Sequence, residues 1–281
     1  METGLAGRVV VVTGATVNIG RAAVLAFAAE RAKVVVVGRD EAMGKTVAER
    51  ALATGAQAAL WQRCDVTDDV QVQALRDRVI EAFSTVDVLV NNVGGNTDLG
   101  PFVESEPAQW RADLDLTLTS VLLCTRRFLP DMVARRSGRI INVGSMSGVI
   151  GDPYLAIYSA AKAAVHGFTR VLAAEVGEYG VTVNAIAPYA TRPDDPEEPS
   201  SSGSRFHPEL GLMRTLGPEK AAWRGRIFKE GLLPQKVARA SQVASAAVYL
   251  ASETAGYITG EILHIDGGVR WSSGHGATPP A

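Results

Sequence analysis

The chain has few of the residues that build disulfide frameworks or metal sites. It holds two cysteines, Cys64 and Cys124, with no CxxC spacing. A disulfide framework or a zinc ribbon is therefore not expected, and a reducing, cytoplasmic setting is. Its four histidines, His166, His207, His264 and His275, lie far apart without ligand spacing, so no metal is expected. Excess charge is also lacking, since 28 Lys and Arg against 30 Asp and Glu leave a formal net charge of −2. That balance gives no electrostatic case for nucleic acid or an anionic membrane surface. No apolar run reaches the length of a bilayer span. The start, "METGLAGRVVVVTGA", lacks the cationic n-region and long h-region of a signal peptide. Repeats at solenoid periods are absent.

What is present is an alternation. Short β-branched runs are "RVVVVT" (8–13), "KVVVVG" (33–38), "AALWQRCDV" (58–66), "VDVLVNNVGG" (86–95), "GRIINVGS" (138–145) and "VTVNAIAP" (181–188). Each is short, nearly continuous and bounded by turn residues, which predicts strands buried on both faces. Between them lie helical patterns at 21–30, 40–55, 68–83, 107–136 (with a bend expected near Pro130) and 154–179. This order predicts a single-domain α/β fold, a doubly wound parallel sheet of Rossmann-like type with helices on both faces. Residues 1–270 are expected to form that one domain, and 271–281 a flexible tail. After the sixth strand, "YATRPDDPEEPSSSGS" opens an irregular stretch from Tyr189 to about Gly231. Long irregular connections in compact α/β domains are usually functional, so this one reads as a lid.

Two local patterns carry chemistry. "VVTGATVNIGRAAV" joins the first strand to the first helix, where free N–H groups and the helix dipole suit a dinucleotide's pyrophosphate. "YLAIYSAAKAAV" (154–165) places Tyr158 and Lys162 at i and i+4 on one helical face. A cation beside a phenol lowers its pKa from about 10 and fits it for proton transfer near neutrality.

With these motifs the sequence resembles the short-chain dehydrogenase/reductase family. Its TGxxxGxG fingerprint reads Thr13-Gly14-Ala15-Thr16-Val17-Asn18-Ile19-Gly20 here, with Asn18 for the middle glycine. "CDVTD" (64–68) matches the adenine-contacting segment, "NNVG" (91–94) the family's NNAG, and "SETAGYITGEILHIDGG" the segment that closes the sheet. The resemblance runs from about residue 5 to 270 and implies an NAD(P)-dependent oxidoreductase. It assigns Ser145, thirteen residues before Tyr158, to hold the substrate oxygen, with Ser147 the weaker candidate. Tyr158 would exchange the proton, and Lys162 would lower the Tyr pKa and bind the nicotinamide ribose. Thr117 stands where the family has an Asn that holds a relay water, and Ser120 where it has Gly.

For the cofactor, the resemblance assigns Gly14, Thr16, Asn18, Ile19 and Gly20 to the phosphates and Asp65 and Val66 to the adenine end. Asn91 and Gly94 follow from the NNVG match, and Pro188 and Thr191 from the segment beside the nicotinamide, where Tyr189 replaces the family's Gly and Pro193 its Thr. Arg39, at the end of the second strand, stands where NAD-preferring members carry Asp. This favours NADP, with NAD as the alternative.

Met146, Val149, Tyr154 and Tyr189, with Leu212, Met213, Trp223 and Phe228 from the lid, are expected to wall the substrate pocket. That apolar set suggests a hydrophobic, alicyclic, steroid-like or 3-oxoacyl ketone or alcohol. The resemblance further implies a homo-oligomer, commonly a tetramer, paired through the helices at 107–135 and 154–179. A non-catalytic dinucleotide-binding redox sensor is the competing reading, motivated by Asn18, Thr117 and Tyr189. A dehydratase or epimerase on the same scaffold is a third.

Overall fold

A computed structural model describes residues 2–195, 197 and 229–272. Seven parallel strands form one sheet: β1 (Val9–Thr13), β2 (Lys33–Gly38), β3 (Ala58–Arg63), β4 (Val88–Asn91), β5 (Gly138–Val143), β6 (Val181–Pro188) and β9 (Ile262–Ile265). Their spatial order is β3-β2-β1-β4-β5-β6-β9. The chain works outward from β1 to β3, then crosses back to place β4 on the other side of β1. Ligands of open α/β sheets bind at such a reversal, outside the carboxyl ends of the strands.

The apolar runs divide by parity, as side chains on a strand must. Val10, Val12, Val34, Val36, Val88 and Val90 face one core, shared with α1 (Asn18–Ala29), α2 (Glu41–Thr54) and α8 (Ala240–Ala251). Val9, Val11, Val35, Val37 and Leu89 face the other, against α3 (Asp69–Phe83), α5 (Ser120–Arg135) and α7 (Ala156–Val176). Turn chemistry sets the helix ends. Asp40 caps α2 by accepting from the Met43 N–H, and Asp68 caps α3 by accepting from Val70 and Gln71.

Two boundaries differ from the sequence reading. Tyr154 lies outside α7, in a turn with φ +67°. The 107–136 helix is α4 (Pro107–Leu114), a π-helical turn at Asp115–Thr119, and α5. The irregularity is thus at Thr117, while Pro130 sits inside α5. The expected lid falls largely outside the described residues, including Leu212, Met213, Trp223 and Phe228. Near its start, β7 (Thr191–Arg192) pairs in parallel with β8 (Ala238–Arg239), which follows its end.

Among the described residues, no helix is long and apolar enough to cross a membrane. The same residues contain no group of three His, Cys, Asp or Glu suited to a metal ion.

Candidate active site

The β1–α1 turn is built on positive φ values that favour glycine. Gly14 has φ +61° and Asn18 has φ +43°. Asn is the side chain that tolerates this region best after Gly, which is why it can replace a glycine here. Gly20 is required by contact, since a Cβ there would lie 2.1 Å from the Gly14 carbonyl oxygen. Arg21, buried, closes the turn by donating from Nε and Nη2 to the Thr16 carbonyl at 2.9 and 2.7 Å. Asn92 ties it to β4, with its amide donating to the carbonyls of Thr13 at 2.9 Å and Gly14 at 3.1 Å.

This turn fits a dinucleotide phosphate. It presents a bare backbone at the start of α1, and the Asn18 Oδ1 is buried without a partner. Turning that amide over would offer its NH₂ to an anion. At the far end of the same edge, Arg39 pairs with Asp65 at 3.7 Å, the Arg side chain being 59 % exposed. Asp65 also accepts from the Thr67 backbone and hydroxyl, and its carboxyl lies below the usual range despite partial burial, which opposes this. Val66 is buried in the second core, and Ile19 packs against the first.

At the ends of β4 and β5 the site turns chemical. Lys162 is 2 % exposed, and its ammonium donates to the Val143 carbonyl at 2.6 Å. It sits 5.8 Å from the centre of the Tyr158 ring. Gly94 makes room for it, because a Cβ there would come within 2.7 Å of Nζ. Thr117, fully buried on the π turn, donates to the Gly95 carbonyl at 2.8 Å and accepts from the Gly95 N–H at 3.1 Å. Insertion of one residue into a helix re-aims a side chain, and here it brings the Thr117 methyl within 3.6 Å of the Gly94 Cβ position.

Ser145 follows β5 and is nearly buried. Its hydroxyl donates to Ser147 Oγ at 3.1 Å, and the Ser147 N–H donates back to Ser145 Oγ at 3.1 Å. Pro188 ends β6 and accepts from the Met146 N–H at 2.9 Å. Thr191 Oγ1 donates to the Tyr189 carbonyl at 3.1 Å.

A cleft of about 90 Å³ opens on the β4 side of Tyr158. Tyr154 and Tyr158 line one wall, and Asp98, Phe102, Trp110 and Asp113 the other. Phe102 stacks on Trp110 with centroids 5.2 Å apart. Asp113, although buried, accepts from the Thr97 N–H at 2.6 Å.

Three expected site residues are elsewhere. Met146 is fully buried with Ala185, Ala187 and Ile262, so it supports the site from below instead of walling the pocket. Asn91 points into the interior. Its amide donates to Thr125 Oγ1 at 3.0 Å and to Asn142 Oδ1 at 2.9 Å, leaving the cofactor edge to Asn92. Parity decides this, because neighbours on a strand face opposite sides. Val149 is 42 % exposed at the surface. Sequence reasoning missed Arg21, Asn92, Ser147 as a partner of Ser145, and the Phe102–Trp110 wall. Of these only Asn92 had a signal, its place in NNVG.

Comparison with known proteins agrees with this geometry. A family model described as short chain dehydrogenase matches residues 8–200. The chain belongs to the short-chain dehydrogenase family. A second model, described as Enoyl-(Acyl carrier protein) reductase, matches residues 211–270 of this family member. Cis-4-hydroxycyclohexanecarboxylate dehydrogenase of Sinomonas cyclohexanicum is 39 % identical over 269 residues, 95 % of this chain and 98 % of that one. A 2,3-dihydroxy-2,3-dihydro-p-cumate dehydrogenase of Pseudomonas putida is 35 % identical, covering 94 % of this chain and 95 % of its own. A 3-oxoacyl-[acyl-carrier-protein] reductase of Synechocystis is 36 % identical over 95 % of this chain and 98 % of its own. The short-chain dehydrogenase fold and these relatives support an oxidoreductase.

Proposed function

We propose that the protein interconverts a secondary alcohol and a ketone, using NADP(H), or NAD(H) as the alternative. The carrying observation is the Lys162 ammonium, buried against Val143 and Gly94 and facing the Tyr158 ring. A buried cation beside a phenol needs a reason, since taking an ammonium out of water is costly. A fixed positive charge that stabilises negative charge developing on the phenol oxygen supplies that reason.

Gly14, Thr16, Asn18, Ile19 and Gly20 would hold the cofactor's phosphates, and Asp65 and Val66 its adenine end. Gly94, Pro188 and Thr191 would line the nicotinamide end. When bound, the nicotinamide cofactor supplies or accepts the hydride. The chain's own residues handle the proton and the oxygen. Tyr158 gives its proton to the substrate oxygen in reduction and removes it in oxidation. Lys162 sets a fixed positive charge beside the phenol. Ser145 hydrogen-bonds the same oxygen and keeps it in place. Thr117 has both hydroxyl functions engaged with Gly95, so in this reading it fixes the Gly94–Gly95 turn beside Lys162.

Arg39 favours NADP. Its surface pair with Asp65 is worth little and is easily given up to a 2′-phosphate. The aromatic wall of Phe102, Trp110 and Tyr154 suits a cyclic or otherwise apolar substrate, and the relatives acting on a hydroxycyclohexanecarboxylate and a dihydrodiol support the alicyclic choice. A cytoplasmic homotetramer fits the reading, with exposed Leu122 on α5 and Val171 on α7 available to pair the helices.

The test is cofactor depletion with a panel of cyclic and 3-oxoacyl ketones, with NADPH and NADH in parallel. Turnover of a cyclic ketone, faster with NADPH, is expected. Tight cofactor binding with no turnover of any ketone or alcohol would replace this reading by the redox-sensor one.

A further inference from the structure

Behind Ser145 lies a short hydrogen-bonded line of groups that the reaction as described does not use. Ser145 Oγ donates to Ser147 Oγ at 3.1 Å, and Ser147 Oγ donates to Asp152 Oδ2 at 2.5 Å. Asp152 is 8 % exposed, and its other oxygen, Oδ1, is buried with no hydrogen-bond partner. A carboxylate buried with one oxygen unsatisfied is costly to keep charged. The line ends on the one serine hydroxyl assigned to the substrate oxygen.

We propose that Asp152 is a positioning residue that acts through Ser147 to set which way the Ser145 hydroxyl hydrogen points. The inference rests on the reading of Ser145 as the group that holds the substrate oxygen. With Asp152 ionised, the line runs Ser145 to Ser147 to Asp152. Ser145 then has spent its hydrogen and offers the substrate only an acceptor, which suits an alcohol. When the carboxyl takes a proton from solvent, it donates to Ser147, and Ser147 turns to donate to Ser145. The Ser145 hydrogen is released to donate to a ketone oxygen. Only the proton on the carboxyl is gained, and the two hydroxyls simply rotate.

The surroundings keep this equilibrium within reach. Burial raises the Asp152 pKa above the ordinary carboxyl value, while the Ser147 hydrogen bond and the Lys229 charge oppose the rise. Tyr189, at the end of β6, feels the Asp152 charge and has its phenol anchored by the Lys229 N–H at 2.8 Å. Ser159, on α7, accepts from the Asp152 N–H. His166, also on α7, hydrogen-bonds at Gly148 on the same short helix as Ser147, and burial lowers its pKa to about 4. Tyr158, Lys162, Arg170 and Glu175 are the other titratable groups on α7.

The test uses the full-length protein with 4-oxocyclohexanecarboxylate as the ketone. In wild type, KM for the ketone should rise severalfold as pH climbs through Asp152 ionisation, because Ser145 must break its bond to Ser147 to donate. In Asp152→Asn, whose amide donates to Ser147 at every pH, that limb should vanish. Ser147→Ala should also remove it, and Asp152→Asn should add nothing in the Ser147→Ala background. A readout without cofactor or substrate is infrared difference spectroscopy. A protonated-carboxyl band should appear on acidification, be absent in Asp152→Asn and shift in Ser147→Ala. A limb that persists in Asp152→Asn, or uniform loss at all pH values, overturns the proposal. Ser145→Ala separates the two layers. If it turns over the ketone like wild type, the reading of Ser145 itself fails. If it is inactive while Asp152→Asn keeps the limb, only the Asp152 inference fails.

Discussion

The Lys162 ammonium lies 5.8 Å from the centre of the Tyr158 ring and spends one hydrogen on the Val143 carbonyl at 2.6 Å. That carbonyl fixes the cation, so its field at the phenol does not depend on a mobile side chain. Replacing Lys162 by Met keeps most of the volume and removes the charge. Turnover should fall by about 10²–10⁴-fold, the range for a lost acid–base contribution. Initial rates with cofactor and ketone in excess read the loss. Unchanged turnover would show that Lys162 does not serve proton transfer at Tyr158.

Gly20 tests the phosphate cradle. A Cβ there would lie 2.1 Å from the Gly14 oxygen and 2.6 Å from Asn92 Nδ2. Gly20→Ala must push the turn apart, at a cost of about 1–3 kcal/mol. The melting temperature should drop by several degrees, and cofactor affinity by at least about tenfold, or 1.4 kcal/mol. Cofactor titration by fluorescence reads the second effect. Wild-type affinity in this variant would place the phosphates elsewhere.

Much of this was legible in the sequence, for identifiable reasons. Strand runs such as "VVVVT" announce themselves because parallel strands are buried on both faces. Positions 158 and 162 share a face in any helix, and Asn18 takes the positive φ that its place in the glycine turn demands. The failures are also physical. Tyr154 looked helical by composition, but its positive φ depends on a tertiary bond in which the Gly100 N–H donates to its carbonyl at 3.1 Å. Asn91 and Asn92 are chemically identical, and only strand parity separates the buried one from the one that grips the turn. The π turn at Thr117 has no composition signal, and the Thr117 hydroxyl is held by Gly95 in the segment after β4. The Phe102–Trp110 wall is assembled by a stacking contact between a loop and α4.

The proposed preference for NADP rests on Arg39, just past the end of β2. Arg39→Asp removes a cation and places a carboxylate where a 2′-phosphate would sit. The NADPH-to-NADH ratio of kcat/KM should fall by at least about tenfold, equivalent to 1.4 kcal/mol. The double-cofactor assay measures it directly. A ratio unmoved by the substitution would mean that Arg39 only pairs with Asp65.

His166 predicts an acid limb in stability. Burial, then the nearby Lys162 charge, lower its pKa from 6.5 to about 4. The folded state therefore favours the neutral ring, and the unfolded state binds more protons between those values. Stability is full above about 6.5 and declines as pH falls toward the folded value. The loss is on the order of 3 kcal/mol if the ring alone carries it. Denaturant unfolding from neutral to acid pH should show this decline in wild type and a shallower one in His166→Leu. Parallel curves for the two proteins would remove His166 as the cause.

The most direct measurement compares wild type with Tyr158→Phe in single-turnover cofactor depletion, with 4-oxocyclohexanecarboxylate as ketone. Removing one hydroxyl should leave folding and cofactor binding intact and slow depletion by at least about 10²-fold. Equal depletion by the two proteins would contradict proton transfer at Tyr158, and with it the role assigned to the ammonium beside it.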